Sequence, residues 1–355
     1  MGAKKSSWWQ QIKQHPVATV LIALLSVVIV LIILSILGYI FNWGWTGLGP
    51  YISPPHPKDS DFQRGKTLWD WLQLLIIPAV LAVAGYVINL TISRSEQEAT
   101  KQRAQSEQEI ADDNQRETAL QEYVNKMSEL LLDGDLCKST VKDEVQKIAR
   151  VRTLTVLPRL NGKRKGIVLQ FLYEAQLINK GGRIVDLSGA DLRGADLSFT
   201  TLTGADLKGA NFWWARFFAA NLKGADLSHA ALINSNLEGA DLSGADLSEA
   251  EPTAAILNGA DLSHANLSGA DLSEAILGDA DLSYANLSGA DLSEAGLMGT
   301  NLKGADLSGA TLNETYLRDA ILIDANLGRT EVTEEQLDKA KSLVGATMPD
   351  GSIHD

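Results

Sequence analysis

The sequence predicts three parts: an N-terminal anchor of two membrane-spanning helices, a helical linker, and a C-terminal solenoid of short repeats. Three observations predict them: two long uncharged apolar runs, a charged stretch without Gly or Pro, and an unbroken five-residue repeat over residues 186–332. The predicted boundaries are 1–92 for the anchor, 93–180 for the stalk and a small helical unit, 181–332 for the repeat, and 333–355 for a C-terminal capping helix and tail.

The predicted anchor consists of residues 17–41 and 72–92, which contain no charged residue. About 20 apolar residues suffice for a helix to cross the hydrocarbon core of a bilayer. The alternative for each run is a helix buried in a soluble core. Tryptophans, which settle at the level of the lipid headgroups, flank both runs; they are Trp8, Trp9, Trp43, Trp45, Trp69 and Trp71.

The orientation of the anchor follows from the lysines and arginines beside the runs. Six of them lie before the first run and after the second, whereas three lie in the loop 42–67. Cytoplasmic flanks carry the excess of positive charge, so the sequence predicts an integral membrane protein with both termini in the cytoplasm and the lipid bilayer as a partner.

The linker is predicted to be helical. Residues 93–117 are rich in Gln, Glu, Arg and Ala, which favour a solvated helix. An apolar seam then starts, at spacings that indicate either a short coiled coil or one face of a packed unit; it consists of Leu120, Val124, Met127 and Leu131. Two further helices are predicted near 141–157 and 163–178, separated by Pro158 and the pair Asn161-Gly162.

A basic cluster lies within the linker, where residues 138–165 contain nine basic and two acidic side chains. Its members are Arg150, Arg152, Arg159, Lys163, Arg164 and Lys165. Three interpretations stay open: a solvated face, a contact with anionic lipid or an acidic partner, and nucleic-acid binding. Nucleic acid is the least favoured, because no recognised nucleic-acid-binding motif accompanies the cluster.

The repeat places Leu, or rarely another residue, at every fifth position from Leu187 to Val332, which gives 30 centres without a slip in register. Ala usually stands two residues before the centre and Asp or Asn one residue before it. This pattern resembles the pentapeptide-repeat family, whose motif is A-(D/N)-L-x-x, and GADLSGADLSEA at 239–250 follows it closely. The resemblance implies a right-handed quadrilateral β-helix with four repeats in each 20-residue coil, or about 7.5 coils.

The order of the segments also resembles bacterial membrane proteins with two spans, a helical linker and this repeat. That resemblance implies a bacterial inner or internal membrane. The chain is expected to continue from Thr333 into a helix that ends near Ser342, because Thr333 and Gln336 match the capping-box pattern. This helix and the one that ends near Ile178 are expected to cover the two open ends of the solenoid.

If residues 20 apart stack, the outward residues before each centre form four columns. The column from Asp186 to Asn326 contains only acidic or amide residues. The column from Asp196 to Tyr316 instead gains apolar residues, and the neighbouring wall stacks Glu274, Glu294 and Glu314. Exposed apolar groups gathered on one side indicate a contact surface, unless they reflect drift in a tolerant repeat. The candidate interface residues are Phe199, Trp213, Trp214, Phe218, Ile233, Ile256, Ile276, Met298 and Tyr316.

Five aromatic residues crowd into KGANFWWARFFAANL, residues 208–222. The register places Phe212 and Phe217 at centres, which point inward, and the other three outward. Because the outward aromatics lie near the start of the solenoid, Trp213 and Trp214 are expected to dock against the helical unit, with binding of a partner as the alternative.

The sequence contains no recognisable catalytic constellation, and neither a metal nor a cofactor site is expected. The five histidines are scattered, and one cysteine excludes disulfides within the chain. The leading hypothesis is a non-catalytic, membrane-anchored scaffold or regulatory module that displays an acidic β-helix to an unknown protein partner or, through the divergent wall or the stalk, to a second copy. The alternative is a DNA mimic, because residues 186–332 contain seven basic and 22 acidic residues and some members of the family inhibit gyrase by resembling duplex DNA.

Overall fold

The computed structural model describes residues 68–132, 136, 144–180 and 184–355, together with isolated positions between 26 and 41. The chain divides into two compact units, Met1–Glu109 and Ile110–Asp355. The helices are α1 (Leu68–Leu132), α2 (Glu144–Val156), α3 (Gly162–Glu174) and α4 (Glu334–Leu337), with a short 3₁₀ helix at Leu157–Arg159. The remainder of the second unit, from residue 184 onward, is a solenoid of short bridges.

The prediction of an integral membrane protein with two spans and cytoplasmic termini is wrong. In the part of the chain that the structure describes, no helix has the length and the apolar character needed to cross a membrane. The predicted second span, 72–92, forms one end of α1, a single helix of 65 residues that continues into the polar residues 93–117. The predicted first span, 17–41, lies mostly outside the described residues, and so does the loop 42–67.

The helical unit confirms both helices predicted in the linker. Asn161 begins α3 as its N-cap, because its side chain accepts a hydrogen bond from the backbone N–H of Arg164 at 3.1 Å. The predicted seam of α1 faces the core, with Leu120 and Met127 buried. Beside it, the hydroxyl of Tyr123 lies 2.9 Å from that of Thr153, and burial raises the pKa of Tyr123. The seam is therefore one face of a packed unit.

The solenoid has four walls, because parallel bridges join most residues before a centre to the residue 20 positions further on. The central Leu and the preceding Ala of the repeats fill the interior, and the Leu and Ala residues of the solenoid core are at most 1% exposed from Leu187 to Leu327. Phe212 and Phe217 point inward as predicted, with ring centroids 5.0 Å apart. The core of the solenoid is continuous with that of the helical unit.

One repeat, residues 240–244, shows why the motif has five residues. Three backbone N–H groups donate to neighbouring coils: Asp241 to Ala220 O, Leu242 to Asp261 O and Gly244 to Ser263 O, at 2.7–2.9 Å. The N–H of Ala240 closes the preceding turn onto Leu237 O at 3.0 Å, and that of Ser243 donates to the carboxylate of Asp241 at 3.0 Å. Every N–H of the repeat thus has an acceptor, as a buried backbone requires.

The turns between walls repeat one conformation. The second residue after each centre has a positive φ, 65° at Gly244 and 56° at Trp214. A β-turn with its third residue in this region favours Gly, which explains why Gly is the commonest residue there. Bulky residues such as Trp214 occupy the same strained conformation, so the fold tolerates them at the corners.

The N-terminal edge of the solenoid is covered by α2 and α3. The first coil has no preceding coil to satisfy its backbone, and the helical unit supplies partners instead. Arg150 donates to the carbonyls of Asp186 and Ser188 at 3.1 and 2.9 Å, and Lys165 donates to that of Arg193 at 3.0 Å. Thus two cations of the basic cluster supply the hydrogen-bond donors that a preceding coil would otherwise provide.

Backbone contacts between α3 and the first coil need glycine. The N–H of Asp196 donates to the carbonyl of Gly162 at 2.9 Å. A Cβ on Gly162 would overlap the carbonyl of Gly194, and one on Gly166 would overlap that of Asp196. The two glycines, four residues apart on one face of α3, therefore let the helix lie directly on the coil.

The C-terminal end differs from the prediction. The capping box of Thr333 and Gln336 is present, but α4 ends at Leu337 instead of near Ser342. The helix takes the place of one repeat. After it the chain again pairs with the coil before, through parallel bridges from Ile321 to Ser342 and from Asn326 to Thr347. Ile353 then pairs antiparallel with Thr347. The tail folds back on the last repeat because an extended strand satisfies the backbone of that edge, which a four-residue helix does not cover.

Pro252 replaces one central Leu and interrupts a wall. It has no N–H to donate to the next coil, and within residues 184–355 the bridge from Glu251 to Asp271 is missing from a column that is otherwise paired on both sides. The interior stays closed, because Pro252 is buried like the leucines around it.

The substitution Gly166→Ala is expected to lower the free energy of unfolding of the second unit by about 1–3 kcal/mol, because the added Cβ forces α3 away from Asp196. Chemical denaturation followed by circular dichroism measures this change. Gly85→Ala in α1 is the control: an added Cβ there meets no atom within 4 Å, so only the favourable helix propensity of Ala remains. Stabilisation by Gly166→Ala would contradict direct seating of α3 on the coil.

Asp191→Asn is expected to remove a pH-dependent part of the stability. Hydrogen bonds from Arg193 and the charge of Lys165 outweigh burial and hold the pKa of Asp191 well below its ordinary value. Because the folded pKa is lowered, the carboxylate stabilises the fold above the unfolded pKa of about 3.9, and this contribution is lost as pH falls towards the folded pKa.

Denaturation from pH 7 to pH 2 measures this contribution. The wild type is expected to exceed Asp191→Asn by about 1 kcal/mol at pH 7, since solvent partly screens the pair, and the difference is expected to shrink as the pH falls from about 4 towards 2. Asp226→Asn is the control, because Asp226 accepts the same turn hydrogen bond from Ser228 without an ion pair among the described residues. Equal pH dependence in both variants would refute the role of Lys165.

Candidate functional site

The candidate interface residues lie on two neighbouring faces of the solenoid. We call wall three the bridged column Asp196, Arg216, Asn236, Ile256, Ile276, Gly296 and Tyr316, with the corner that follows it. Ile276 and Tyr316 are 47% and 66% exposed, and Met298 at the adjoining corner is 55% exposed. Ile256 is half-buried. Wall three thus presents apolar side chains to solvent outside a filled core.

Part of wall three lacks a turn hydrogen bond that most repeats make, although Asn236 of the same wall keeps it. An Asp or Asn before a centre accepts a hydrogen bond from the N–H two residues on, as Asp261 does from Ser263 at 2.9 Å. Ile256 and Ile276 cannot accept, and within residues 184–355 the N–H groups of Asn258 and Gly278 have no protein acceptor. At these two positions the turn lacks the side-chain hydrogen bond of most repeats and has an outward isoleucine side chain in its place.

The neighbouring face, wall two, is the column from Asp191 to Glu331. It carries Trp213, Trp214 and Ile233 at its first corners, and Glu274, Glu294 and Glu314 are all exposed further along. Trp214 is 59% exposed, and its ring meets that of Trp213 edge to face at 5.8 Å. The indole N–H of Trp213 is buried without a partner among the described residues.

Trp213 and Trp214 were expected to dock on the helical unit, but the hydrogen bonds described between this unit and the first coil involve other residues. The carbonyl of Gly162 accepts from Asp196, Arg150 and Lys165 donate to carbonyls, and the hydroxyl of Tyr173 donates to Thr203 O at 3.2 Å. The backbone of Ile178 and Lys180 also pairs with that of residues 204 and 206. The helical unit thus contacts residues that precede the aromatic stretch in the chain. The reason is that α3 lies on the first coil, whereas Trp213 and Trp214 belong to the second coil.

The basic cluster separates into two groups. Arg150 and Lys165 bind the first coil, and Arg164 pairs with Asp113 and Glu117 of α1 at 2.6 and 3.0 Å. The hydrogen bond that Arg164 donates to Asp113 raises the pKa of Arg164 above its ordinary value. Arg152, Arg159 and Lys163 are exposed and form no ion pair within the described ranges. Only this second group remains available for an acidic partner or another anionic surface.

A groove of about 920 Å³ lies where α3 meets wall three. Lys163, Ile167 and Gln170 of α3 form one side, and the first coil forms the other with Asp196 and residues 198–201. Phe199 and Phe218, 73% and 39% exposed, meet edge to face at 5.4 Å beside it. Sequence reasoning missed this groove, although the two glycines of α3, four residues apart, indicate a close backbone contact.

The fold itself holds Asp246 in its ionised form. Burial raises the pKa of Asp246, but hydrogen bonds from Ser248 and Asn266 outweigh it, so the pKa lies below its ordinary value. The amide of Asn266 donates to Asp246 at 3.0 Å, and that of Asn286 donates to Asn266 at 3.2 Å. Amides placed among the carboxylates of this column thereby reduce repulsion between like charges one coil apart.

Comparisons with known proteins agree with the architecture. The family model for pentapeptide repeats matches eight copies, over residues 186–224, 220–251, 255–293 and 300–334. Comparison with curated protein sequences gives no match.

Solved structures similar to this chain include HetL, a pentapeptide repeat protein involved in heterocyst differentiation regulation from the cyanobacterium Nostoc sp. strain PCC 7120. The identity is 39%, over 46% of this chain and 76% of HetL, with a TM-score of 0.30. Rfr23, from the cyanobacterium Cyanothece 51142, is 38% identical over 26% of this chain and 58% of its own, with a TM-score of 0.15. QnrB1, a plasmid-mediated fluoroquinolone resistance protein, is 20% identical over 47% of this chain and 88% of its own, with a TM-score of 0.23.

Proposed function

Since the chain belongs to the pentapeptide repeat family, as its repeats and its likeness to HetL show, we propose that it is a non-catalytic protein-interaction module that binds its partner through wall three. The observation that carries this proposal is the exposure of Ile276, Met298 and Tyr316 on one side of a rod whose interior is already filled. Large exposed apolar patches on a folded protein mark sites where another molecule binds.

The local energetics of wall three support selection for binding over drift. Asp at the position of Ile256 or Ile276 would give the following turn an acceptor, as it does on the other walls. Isoleucine instead leaves an N–H to solvent and exposes an apolar side chain, and both changes are unfavourable for the isolated solenoid. A bound protein surface would recover the apolar area.

Restoring the repeat consensus tests this proposal. The double variant Ile256→Asp and Ile276→Asp is expected to lose partner capture while its thermal midpoint stays equal to or above that of the wild type, because each Asp regains the turn hydrogen bond. The matched control is Ala231→Asp with Thr311→Asp, which adds the same two charges to wall two.

Crosslinking in intact cells, followed by mass spectrometry, measures capture, and sedimentation of the purified chain measures self-association. Loss of the same crosslinked partner in the wall-three variant, and not in the control, is the expected result. A monomer–dimer shift without any loss of crosslinked partner would mean that wall three binds a second copy. Unchanged crosslinking and sedimentation would remove wall three as the interface.

A second candidate is regulation of a DNA-binding enzyme such as gyrase by DNA mimicry. A column of Asp241, Asp261 and Asp281, on the wall that follows wall three in the chain, favours it, because bridges stack these residues one coil apart. Against it, their oxygens accept the turn N–H groups of Ser243, Ser263 and Ser283, which gives them a role in the fold itself.

Asp241→Asn with Asp281→Asn separates the two roles, because Asn keeps the turn acceptor and removes the charge. Mimicry predicts that the wild type inhibits gyrase supercoiling at micromolar concentration and that this variant inhibits more weakly. No inhibition by the wild type would discard the second candidate and leave the wall-three proposal unaffected.

A further inference from the structure

The cover over the first coil is incomplete beside wall three. Arg150, Lys165 and Tyr173 bind carbonyl groups elsewhere on this edge, and Gly162 accepts from Asp196. Residues 198–201 instead line the groove between α3 and the solenoid. At this place the edge of the coil faces open space.

Three backbone groups of this segment have no partner among the described residues: the carbonyl of Ser198, and the N–H and carbonyl of Thr201. One coil further on, all three equivalents are paired. The carbonyl of Phe218 accepts from Phe199, the N–H of Asn221 donates to Thr200, and its carbonyl accepts from Leu202, at 2.7–2.9 Å. The groove therefore presents a short strand edge with the hydrogen-bonding pattern of an absent coil.

The side chains around this edge fit an extended segment with apolar and acidic residues. Phe199 and Phe218 form an exposed aromatic pair, and Ile167 of α3 is 45% exposed. Lys163 is exposed and unpaired in the described part, whereas Arg216 pairs with Asp196 at 2.6 Å. The ionisable lining thus carries a net charge of +1 from two cations and one anion, on a solenoid that is strongly acidic.

We propose that this groove binds an extended, acidic segment of a partner protein as an added β-strand. Its N–H groups donate to the carbonyls of Ser198 and Thr201, one of its carbonyls accepts from the N–H of Thr201, and its apolar side chains lie on Phe199 and Phe218. Its carboxylate faces Lys163. Strand addition obtains affinity from main-chain hydrogen bonds and specificity from alternate side chains. The inference rests on the proposed protein-interaction function and adds the chemistry of the ligand.

A whole second solenoid does not fit the same edge. The helical unit covers the rest of the first coil, and at the opposite end Ile353 pairs with Thr347. End-to-end stacking would also bring together two rods of the same sign of charge. A single extended strand avoids both obstacles.

Binding of a defined peptide to the full chain tests the charge complementarity. The probe is a fluorescein-labelled octapeptide that alternates Glu with Tyr and Val, and its counterpart carries Lys in place of each Glu. Fluorescence anisotropy is expected to show saturable binding of the acidic peptide and binding about tenfold weaker, or weaker still, for the basic one. Equal binding of both peptides would overturn the assignment of an acidic ligand.

Backbone pairing has its own readout. Two versions of the acidic peptide carry N-methyl groups on alternate residues, one version on the Glu positions and the other on the Tyr and Val positions. In an extended strand, alternate N–H groups point to opposite edges. One version is expected to lose binding and the other to retain it. Retention by both would show that the peptide does not add as a strand.

Variants locate the peptide in the groove. Lys163→Glu is expected to weaken binding of the acidic peptide about tenfold, whereas Lys223→Glu, the control at an exposed corner outside the groove, is expected to leave it unchanged. Equal loss in both would mean that the peptide follows overall charge. A dimer by sedimentation that blocks the peptide would identify a second copy as the occupant and refute the proposal.

The experiments distinguish a failure of the groove proposal from a failure of the wall-three proposal. If the acidic peptide does not bind while Ile256→Asp with Ile276→Asp still abolishes partner capture, only the groove assignment is lost. If the peptide binds at Lys163 while that double variant captures its partner normally, wall three loses its role, and the groove remains a peptide site.

Discussion

Hydrogen bonding between adjacent coils is the constraint on which the rest of this molecule depends. A rod with an interior filled by Leu and Ala has no room for water. The N–H groups of the five-residue repeat therefore pair with backbone carbonyls or with the side chain before the centre, and within residues 184–355 the exceptions include the corners at Asn258 and Gly278. Asp241 shows how the motif meets this requirement, because its carboxylate accepts the single N–H of the repeat that no carbonyl reaches. The acidity of the solenoid is therefore partly a consequence of its backbone.

The same constraint explains the ends. A stack of coils leaves one row of unpaired groups at each edge, and an unpaired edge attracts other strands. Here α3, seated through Gly162 and Gly166, and the side chains of Arg150 and Lys165 close most of the first coil, while a returning strand closes the last. The segment 198–201 lines the groove rather than lying under the helix, and three of its backbone groups have no partner in the part of the chain that the structure describes.

Side chains that point outward do not take part in the hydrogen bonding between coils once the turn is formed. At these positions the sequence departs from the repeat consensus. Bulky residues occupy the positive-φ corner at Phe199 and Trp214 without disturbing the stack. Apolar residues replace the turn-capping acid on wall three only where the side chain points to solvent. A fold of this kind separates stability, which comes from the repeated interior, from the chemistry of each wall, which depends on its outward side chains.

The sequence by itself determined the repeat, its register and hence the four walls, because a strict five-residue period fixes which side chains stack. It also placed Phe212 and Phe217 in the interior. The bounds of α2 and α3 were predicted to within a few residues. It misjudged residues 72–92, since hydropathy treats an apolar run as an isolated segment, whereas the structure makes it one end of a longer helix. Only the tertiary structure decided that Arg150 and Lys165 close a coil edge and that a groove opens beside them. Those roles depend on where α3 returns in space, and no local pattern of residues encodes that position.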